Sequence, residues 1–252
     1  MALRIIQISD CHLPADPATA YRGQDAGKNL EAVWHAALRW KPDLILLTGD
    51  LSEDASPASY DRLRSIVRTE VPVLAIPGNH DEPEVLRKYF DAGPWDGPLA
   101  WSDGDWRIVL TDSTLPRKPS GRFSAERLEA LAETLNAGDE PNILIALHHQ
   151  PVAVDSPWID RFALEEPEGF LELLDSAPRL RCVIWGHVHQ HFMCWRNGVL
   201  MLGAPSTAAN SRPGAGRFEL DPVGPGCRTL ELESDGTVRY GQIHAAAQAS
   251  GV

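Results

Sequence analysis

No apolar run in this chain is long enough to span a bilayer, so a membrane-crossing segment is not expected. Cysteine is scarce. Cys11, Cys182, Cys194 and Cys227 are scattered, match no zinc-ribbon spacing and read as small buried thiols. Positive charge is also short. The 23 Lys and Arg face 35 Asp and Glu, a formal net charge of −12, and no block of basic residues stands out. Non-specific duplex binding rests on cationic contacts to phosphate, so no nucleic-acid partner is expected. An anionic substrate would need local positive charge, from a metal or helix ends, to overcome the overall field. No charged and apolar leader precedes the strand signal at Leu3, and the expectation is a reduced, cytoplasmic setting without membrane contact.

A chain of 252 residues can bury a large core without a disulfide or structural metal. Short apolar runs at Leu3–Ile8, Leu44–Thr48, Val73–Ile76, Ile143–Leu147, Cys182–Trp185 and Val199–Leu202 predict buried strands, and Trp106–Thr111 alternates as one. Helical spacing separates them at Asp25–Trp40, after Ser56-Pro57, at about Pro83–Phe90, after Ser124 and at Glu168–Leu174. Residues 13–24 and 152–165 predict loops, and 93–104 a turn-rich stretch. Phe218–Ile243 alternates around Ser234-Asp235-Gly236, the signature of an antiparallel hairpin. Strand and helix alternate for most of the length without a repeat or linker. This predicts an α/β layered fold in one domain over 1–244, with 245–252 a frayed tail.

The chemistry lies at the strand ends. Five strands stop at residues able to bind metal: Asp10 and His12, Asp50, Asn79 with His80, His148 with His149, and His187 with His189. Ligands of open α/β sheets bind outside the carboxyl ends of strands, so these clusters should converge. Imidazoles mixed with hard oxygen donors, without thiolate, suit Mn, Fe or Zn. Asp-x-His and His-x-His place alternate residues of an extended segment on one side, with Cys11 pointing the other way. The donors exceed the needs of one tetrahedral ion. Two ions about 4 Å apart would use them all, and Asp50 is the natural bridging carboxylate.

In order, the blocks are Asp10-Cys11-His12, Gly49-Asp50, Gly78-Asn79-His80-Asp81, His148-His149-Gln150-Pro151 and Gly186-His187-Val188-His189. This set resembles the calcineurin-like metallophosphoesterases, over Leu3 to about Ser206. Within that family the chain is most similar to the bacterial class III 3′,5′-cyclic-AMP phosphodiesterases. The likeness rests on the Ser156–Asp160 loop, on Ala204-Pro205-Ser206-Thr207 and on the closing Gly226–Leu232 segment.

The resemblance implies a four-layer αββα sandwich of two mostly mixed sheets flanked by helices, with a dinuclear site at the strand carboxyl ends. It implies two divalent or trivalent ions, iron or manganese foremost and zinc as an alternative. Asp10, His12 and His189 would hold the first, and Asn79, His148 and His187 the second, with Asp50 bridging. His149 is the alternative to His148. A metal-activated hydroxide would attack phosphorus. His80 would protonate the leaving ribose oxygen and Asp81 would orient His80. His12, Asp50, Asn79, His80 and His189 would also contact substrate. The implied function is hydrolysis of 3′,5′-cyclic AMP to 5′-AMP. Alternatives are a broader phosphodiesterase acting on glycerophosphodiesters, 2′,3′-cyclic nucleotides or dinucleotides, and an inactive interaction scaffold.

Base recognition is less legible. Tyr21, Trp158 and Trp195 are candidates for stacking on adenine, or for packing. Asn210 and Arg212 lie in a Pro/Gly-rich loop and approach ribose or phosphate, or are solvated. His191 reads as a surface residue or one behind the ligands. A homodimer is left open.

Overall fold

The computed structural model describes residues 2–90 and 97–246. Its first half runs β1 (Leu3–Ile8), α1 (Ala26–Arg39), β2 (Leu44–Thr48), α2 (Pro57–Ile66), β3 (Val73–Ile76), α3 (Pro83–Leu86), β4 (Leu99–Asp103), β5 (Trp106–Leu110) and α4 (Ala125–Asn136). Then follow β6 (Asn142–Leu147), α5 (Pro157–Asp160), α6 (Glu168–Asp175), β7 (Leu180–Trp185), β8 (Phe192–Arg196), β9 (Val199–Gly203), β10 (Gly226–Leu232) and β11 (Val238–His244).

Two mixed sheets result. One has the order β11-β10-β1-β2-β3, with β1, β2 and β3 parallel and β10 and β11 antiparallel. The other has the order β4-β5-β6-β7-β9-β8, parallel from β5 to β9 and antiparallel at both edges. Side chains alternate across a strand, so the second sheet feeds two cores. Leu110, Leu144, Ala146, Ile184 and Leu202 join the core built on the first sheet, with Leu30, Val33 and Trp34 of α1 and Tyr60 and Leu63 of α2. Val109, Ile145, Leu147, Val183 and Met201 instead pack with Leu131 and Leu135 of α4 and Phe170 and Leu174 of α6. Four layers follow: helices, sheet, sheet, helices. Each fully buried aliphatic side chain here contributes roughly 1.5–3 kcal/mol. The continuous apolar runs are needed because both faces of the central strands are covered.

Ser56 and Ser124 cap α2 and α4 as expected, accepting from Ser59 N–H and Arg127 N–H. The β10–β11 hairpin forms around Gly236, at φ 89°. Four elements differ from expectation, one of them α5, a short helix inside the expected 152–165 loop. β4 occupies the far end of the turn-rich stretch, joined to β5 through Gly104 at φ 54°, while 91–96 lie outside the described residues. β8 is an edge strand whose Cys and Arg content hides its alternation. α3 ends at Leu86 instead of Phe90. Of the expected frayed tail, 247–252 lie outside the described residues. Among the described residues no helix is long and apolar enough to cross a membrane.

Candidate metal centre

β1, β2 and β3 of one sheet and β6 and β7 of the other end on one rim, and backbone hydrogen bonds tie these ends together. Asp10 N–H donates to Gly49 O (3.0 Å), His12 N–H to Asp50 O (2.9 Å) and Gly186 N–H to His148 O (3.2 Å). Asp10, His12, Asp50, His187 and His189 all have positive φ, between 42° and 66°. Each such residue costs of order 1–3 kcal/mol and persists only where its surroundings hold it. The motif therefore works differently from the expected extended segment. Two left-handed residues flank Cys11, which turns into the apolar core while Asp10 and His12 face the rim. Gly49 (φ 90°) and Gly78 meet so closely here that a Cβ on Gly78 would overlap the Asp50 carboxylate, and one on Gly49 the His148 ring.

Each histidine expected as a ligand is fixed through one nitrogen. His148 Nδ1 bonds Thr48 O (2.8 Å), His189 Nδ1 bonds Ala209 O (2.8 Å), and His187 Nε2 bonds Phe162 O (3.2 Å). His12 Nδ1 bonds Glu53 Oε2 (2.7 Å). A carbonyl or carboxylate oxygen accepts, so these nitrogens donate, and the other nitrogen of each ring is left for the site. His12 Nε2 and His189 Nε2 then face each other at 3.1 Å. Two imidazole lone pairs at that distance repel unless a cation or proton lies between them. His148 Nε2, His149 Nε2 and Asn79 Oδ1 are buried with no hydrogen-bond partner, which is costly in a site without an ion.

The donors form overlapping groups. Asp10, His12 and His189 bring ligand atoms within 4.8 Å of one another, as do Asp10, Asp50 and His148, and as do His148, His149 and His187. Asp50 spans them: Oδ2 lies 3.6 Å from His12 Nε2 and Oδ1 lies 3.4 Å from His148 Nε2. Asp10 Oδ1 lies 3.4 Å from His189 Nε2, and its carboxylate also accepts His187 N–H.

The electrostatics agree. Burial pushes Asp10 and Asp50 upward, but the neighbouring His189 and His148 outweigh it and hold both carboxyls below their ordinary range. Burial works against charge on His148, yet Asp50 brings it up to about 9. Burial and then adjacent imidazoles push His149 and His187 well below the usual histidine value. Ionised carboxylates beside imidazoles are what a divalent cation takes as ligands, and a cation there would displace the proton that Asp50 favours on His148. The residues fit metal ions of the Mn, Fe or Zn kind.

His80 is 38% exposed at the rim, its ring edge-on to His12 at 4.8 Å, and its N–H donates to Asp50 Oδ1 (2.8 Å). The expected orienting role of Asp81 is not what the structure shows. The Asp81 carboxylate accepts the N–H groups of Leu51, Ser52 and Gly78 and the Tyr60 hydroxyl. It braces the backbone behind the site, and burial, with the Asp50 charge, pushes it up to about 6. The carboxylate beside His80 belongs to Glu53, at 3.3 Å from Nδ1, a residue without a motif in the sequence.

Tyr21 stacks face to face on His12 at 4.1 Å, so it packs a ligand ring. Trp158 is buried, edge-on to His189 and Phe218. Trp195 stands 64% exposed on edge strand β8, where it pairs with Leu200 near the amino end of β9. His191 Nδ1 accepts from the buried Arg228 and lies outside the donor groups. Arg212 is exposed.

Asn210 turns inward and does not approach a ligand position. Its Oδ1 accepts Ser206 N–H (2.8 Å) and its Nδ2 donates to Ser206 O (3.2 Å) and Gly224 O (2.7 Å). Asn210→Ala leaves buried backbone groups unpaired and is expected to lower stability by roughly 2–4 kcal/mol in denaturant unfolding. A change under about 0.5 kcal/mol would contradict this bracing role.

Comparison with known proteins identifies the set. The family model for calcineurin-like phosphoesterases matches residues 3–191. The chain belongs to the calcineurin-like phosphoesterases. Among the family's curated members it is 36% identical, over 94% of this chain and 88% of the other, to the 3′,5′-cyclic adenosine monophosphate phosphodiesterase CpdA of Pseudomonas aeruginosa. It is 40% identical, over 97% and 92%, to a probable cyclic nucleotide phosphodiesterase of a Synechococcus strain. Among solved structures it is similar to a dimetal phosphatase from Danio rerio, with a TM-score of 0.70 over 91% of this chain and 92% of the other. At 17% identity that likeness establishes the fold alone.

Proposed function

We propose that the chain is a metal-dependent phosphodiesterase that hydrolyses 3′,5′-cyclic AMP to 5′-AMP. The observation that carries the reading is the Asp50 carboxylate, with one oxygen toward His12 and the other toward His148. Relatives named as cyclic-nucleotide phosphodiesterases over nearly the whole chain support the substrate class.

In this reading Asp10, His12 and His189 would hold one ion, Asn79, His148 and His187 would hold another, and Asp50 would serve both. When bound, such ions supply Lewis acidity, which makes water nucleophilic near neutral pH and offsets charge on the phosphoryl oxygens. The chain's own groups do the rest. Asn79 and the histidine rings present fixed donor atoms, because carbonyl and carboxylate partners behind the rings prevent rotation. Hydrolysis breaks the bond from phosphorus to the ribose 3′ oxygen. That oxygen departs with a proton, and His80, exposed at the rim, donates it from Nε2.

A rate panel tests the substrate. Metal-free protein is titrated separately with Mn, Fe and Zn. It is then assayed on 3′,5′-cyclic AMP, 2′,3′-cyclic AMP, glycerophosphodiesters and bis-p-nitrophenyl phosphate. The expected result is a kcat/KM for 3′,5′-cyclic AMP at least about tenfold above the other natural diesters. A higher value on glycerophosphodiesters or 2′,3′-cyclic AMP would replace the substrate. No turnover with any metal would point to an inactive scaffold.

A further inference from the structure

Building on the two-ion reading above, we propose that Gln7 and Arg228 are positioning residues: they form a bracket between the two sheets that sets how far apart the halves of the metal centre stand. Gln7 in β1 and Arg228 in β10 are partners in register, so their side chains leave the same face of the first sheet side by side. Trp185 and Gly203, the last residues of β7 and β9, are partners in register in the second sheet. The two pairs meet across the interior. Gln7 Nε2 donates to Trp185 O (3.1 Å), and Arg228 Nη2 donates to Gly203 O. Two neighbouring side chains of one sheet thus hold two neighbouring carbonyls of the other.

The bracket is connected to the donors on both sides. Gln7 Nε2 also donates to Thr48 Oγ1 (3.0 Å), and Thr48 O is the acceptor that fixes the His148 ring. Arg228 Nη2 also donates to His191 Nδ1 (3.0 Å), two residues beyond His189. Trp185 leads directly into Gly186 and His187. The exits of the first sheet supply Asp10, His12, Asp50 and Asn79, and those of the second supply His148, His187 and His189. Each ion would take donors from both sheets, so an offset between the sheets is an offset between its donors. At the rim itself, Ser206 Oγ donates to Asp10 O (2.8 Å) and Thr207 N–H to Ser9 O (3.1 Å), but these bonds come from the loop after β9. The bracket joins strand to strand beneath them. Stability does not explain its side chains. Both are fully buried, no carboxylate pairs with Arg228 among the described residues, and Arg228 Nε, Arg228 Nη1 and Gln7 Oε1 make no hydrogen bond. Apolar side chains of similar size would hold the sheets together at less cost. They would lack direction, because apolar contact is non-directional whereas a hydrogen bond fixes where the carbonyl sits.

The test uses Gln7→Met and Arg228→Met in the full chain, with Leu230→Ala as the control. Leu230 is a buried core residue two positions along β10 from Arg228 and makes neither of the bracket's hydrogen bonds. Metal-free protein is titrated calorimetrically with Mn, and unfolding by denaturant is followed alongside. Each Met variant should weaken both ions by about 10–100-fold, by factors within about threefold of each other. Leu230→Ala opens a cavity, so it should have the lowest unfolding midpoint of the three and yet keep both Mn affinities within about threefold of the parent. Steady-state kinetics at saturating Mn give a second readout. The Met variants should lose kcat on 3′,5′-cyclic AMP and on bis-p-nitrophenyl phosphate by factors within about threefold of each other, because ion placement serves both and protonation of the leaving group is untouched.

Unchanged Mn affinity in Gln7→Met, weakening of one ion only, or an equal weakening in Leu230→Ala would each overturn the bracket. If Arg228→Met does not fold, Gln7→Met decides by the same criteria. A parent that binds one Mn or none overturns the two-ion reading and the bracket with it. A parent that binds two, beside a Gln7→Met variant that binds two as tightly, overturns the bracket alone.

Discussion

Asp50→Ala is expected to empty both ion positions and to lower turnover of every phosphodiester by on the order of 10⁴-fold. The size follows from sharing. Asp50 has one oxygen toward His12 and the other toward His148, so its loss removes a ligand from each half of the site. It also uncovers His80 N–H, which donates to Oδ1. Asp50 sits at φ 50°, where Ala is strained and Asn is tolerated. Asp50→Asn therefore separates the chemistry from the backbone, and it should also bind fewer ions because its charge is gone. Elemental analysis of both variants decides the matter. Full stoichiometry in Asp50→Ala would contradict a shared ligand.

His80→Ala is expected to retain both ions and lose about 10²–10⁴-fold in kcat on 3′,5′-cyclic AMP, with a smaller loss on nitrophenyl diesters. The Asp50 contact is made by the His80 backbone N–H, so Ala keeps it. The side chain is 38% exposed and carries little of the packing, so folding stability should move by less than about 0.5 kcal/mol. Comparing kcat on the two substrate kinds, with ion content measured alongside, gives the test. Equal losses on both would show that His80 does not protonate the leaving group.

Much of this architecture is legible in the sequence because covered strands must be apolar along their whole length. Leu44–Thr48 and Ile143–Leu147 are visible as runs for that reason, and their last residues mark the rim. The donor set is legible because imidazoles and carboxylates have no structural reason to follow five such runs. What the sequence hid depends on the course of the chain after each strand. Asp81 follows His80 directly, yet the turn closed by Asp81 N–H on Gly78 O sends the two side chains apart. Glu53 follows Asp50 by three positions in an ordinary acidic stretch, and only the pairing of the β1 and β2 exits brings it to His12. Asn210 reads as a ribose or phosphate contact or a solvated side chain because a Pro/Gly-rich loop usually faces solvent, whereas this one is pinned inward on Ser206 and Gly224. The left-handed backbone at Asp10, His12 and Asp50 has no signal beyond the tolerance of Asp and His for it.

Anomalous diffraction from crystals of the Mn-loaded protein tests the shared-carboxylate centre most directly. Two peaks on either side of Asp50 are predicted, one among Asp10, His12 and His189 and the other among Asn79, His148 and His187. A single peak, or peaks away from Asp50, would contradict a metal pair held at the joined rims of the two sheets.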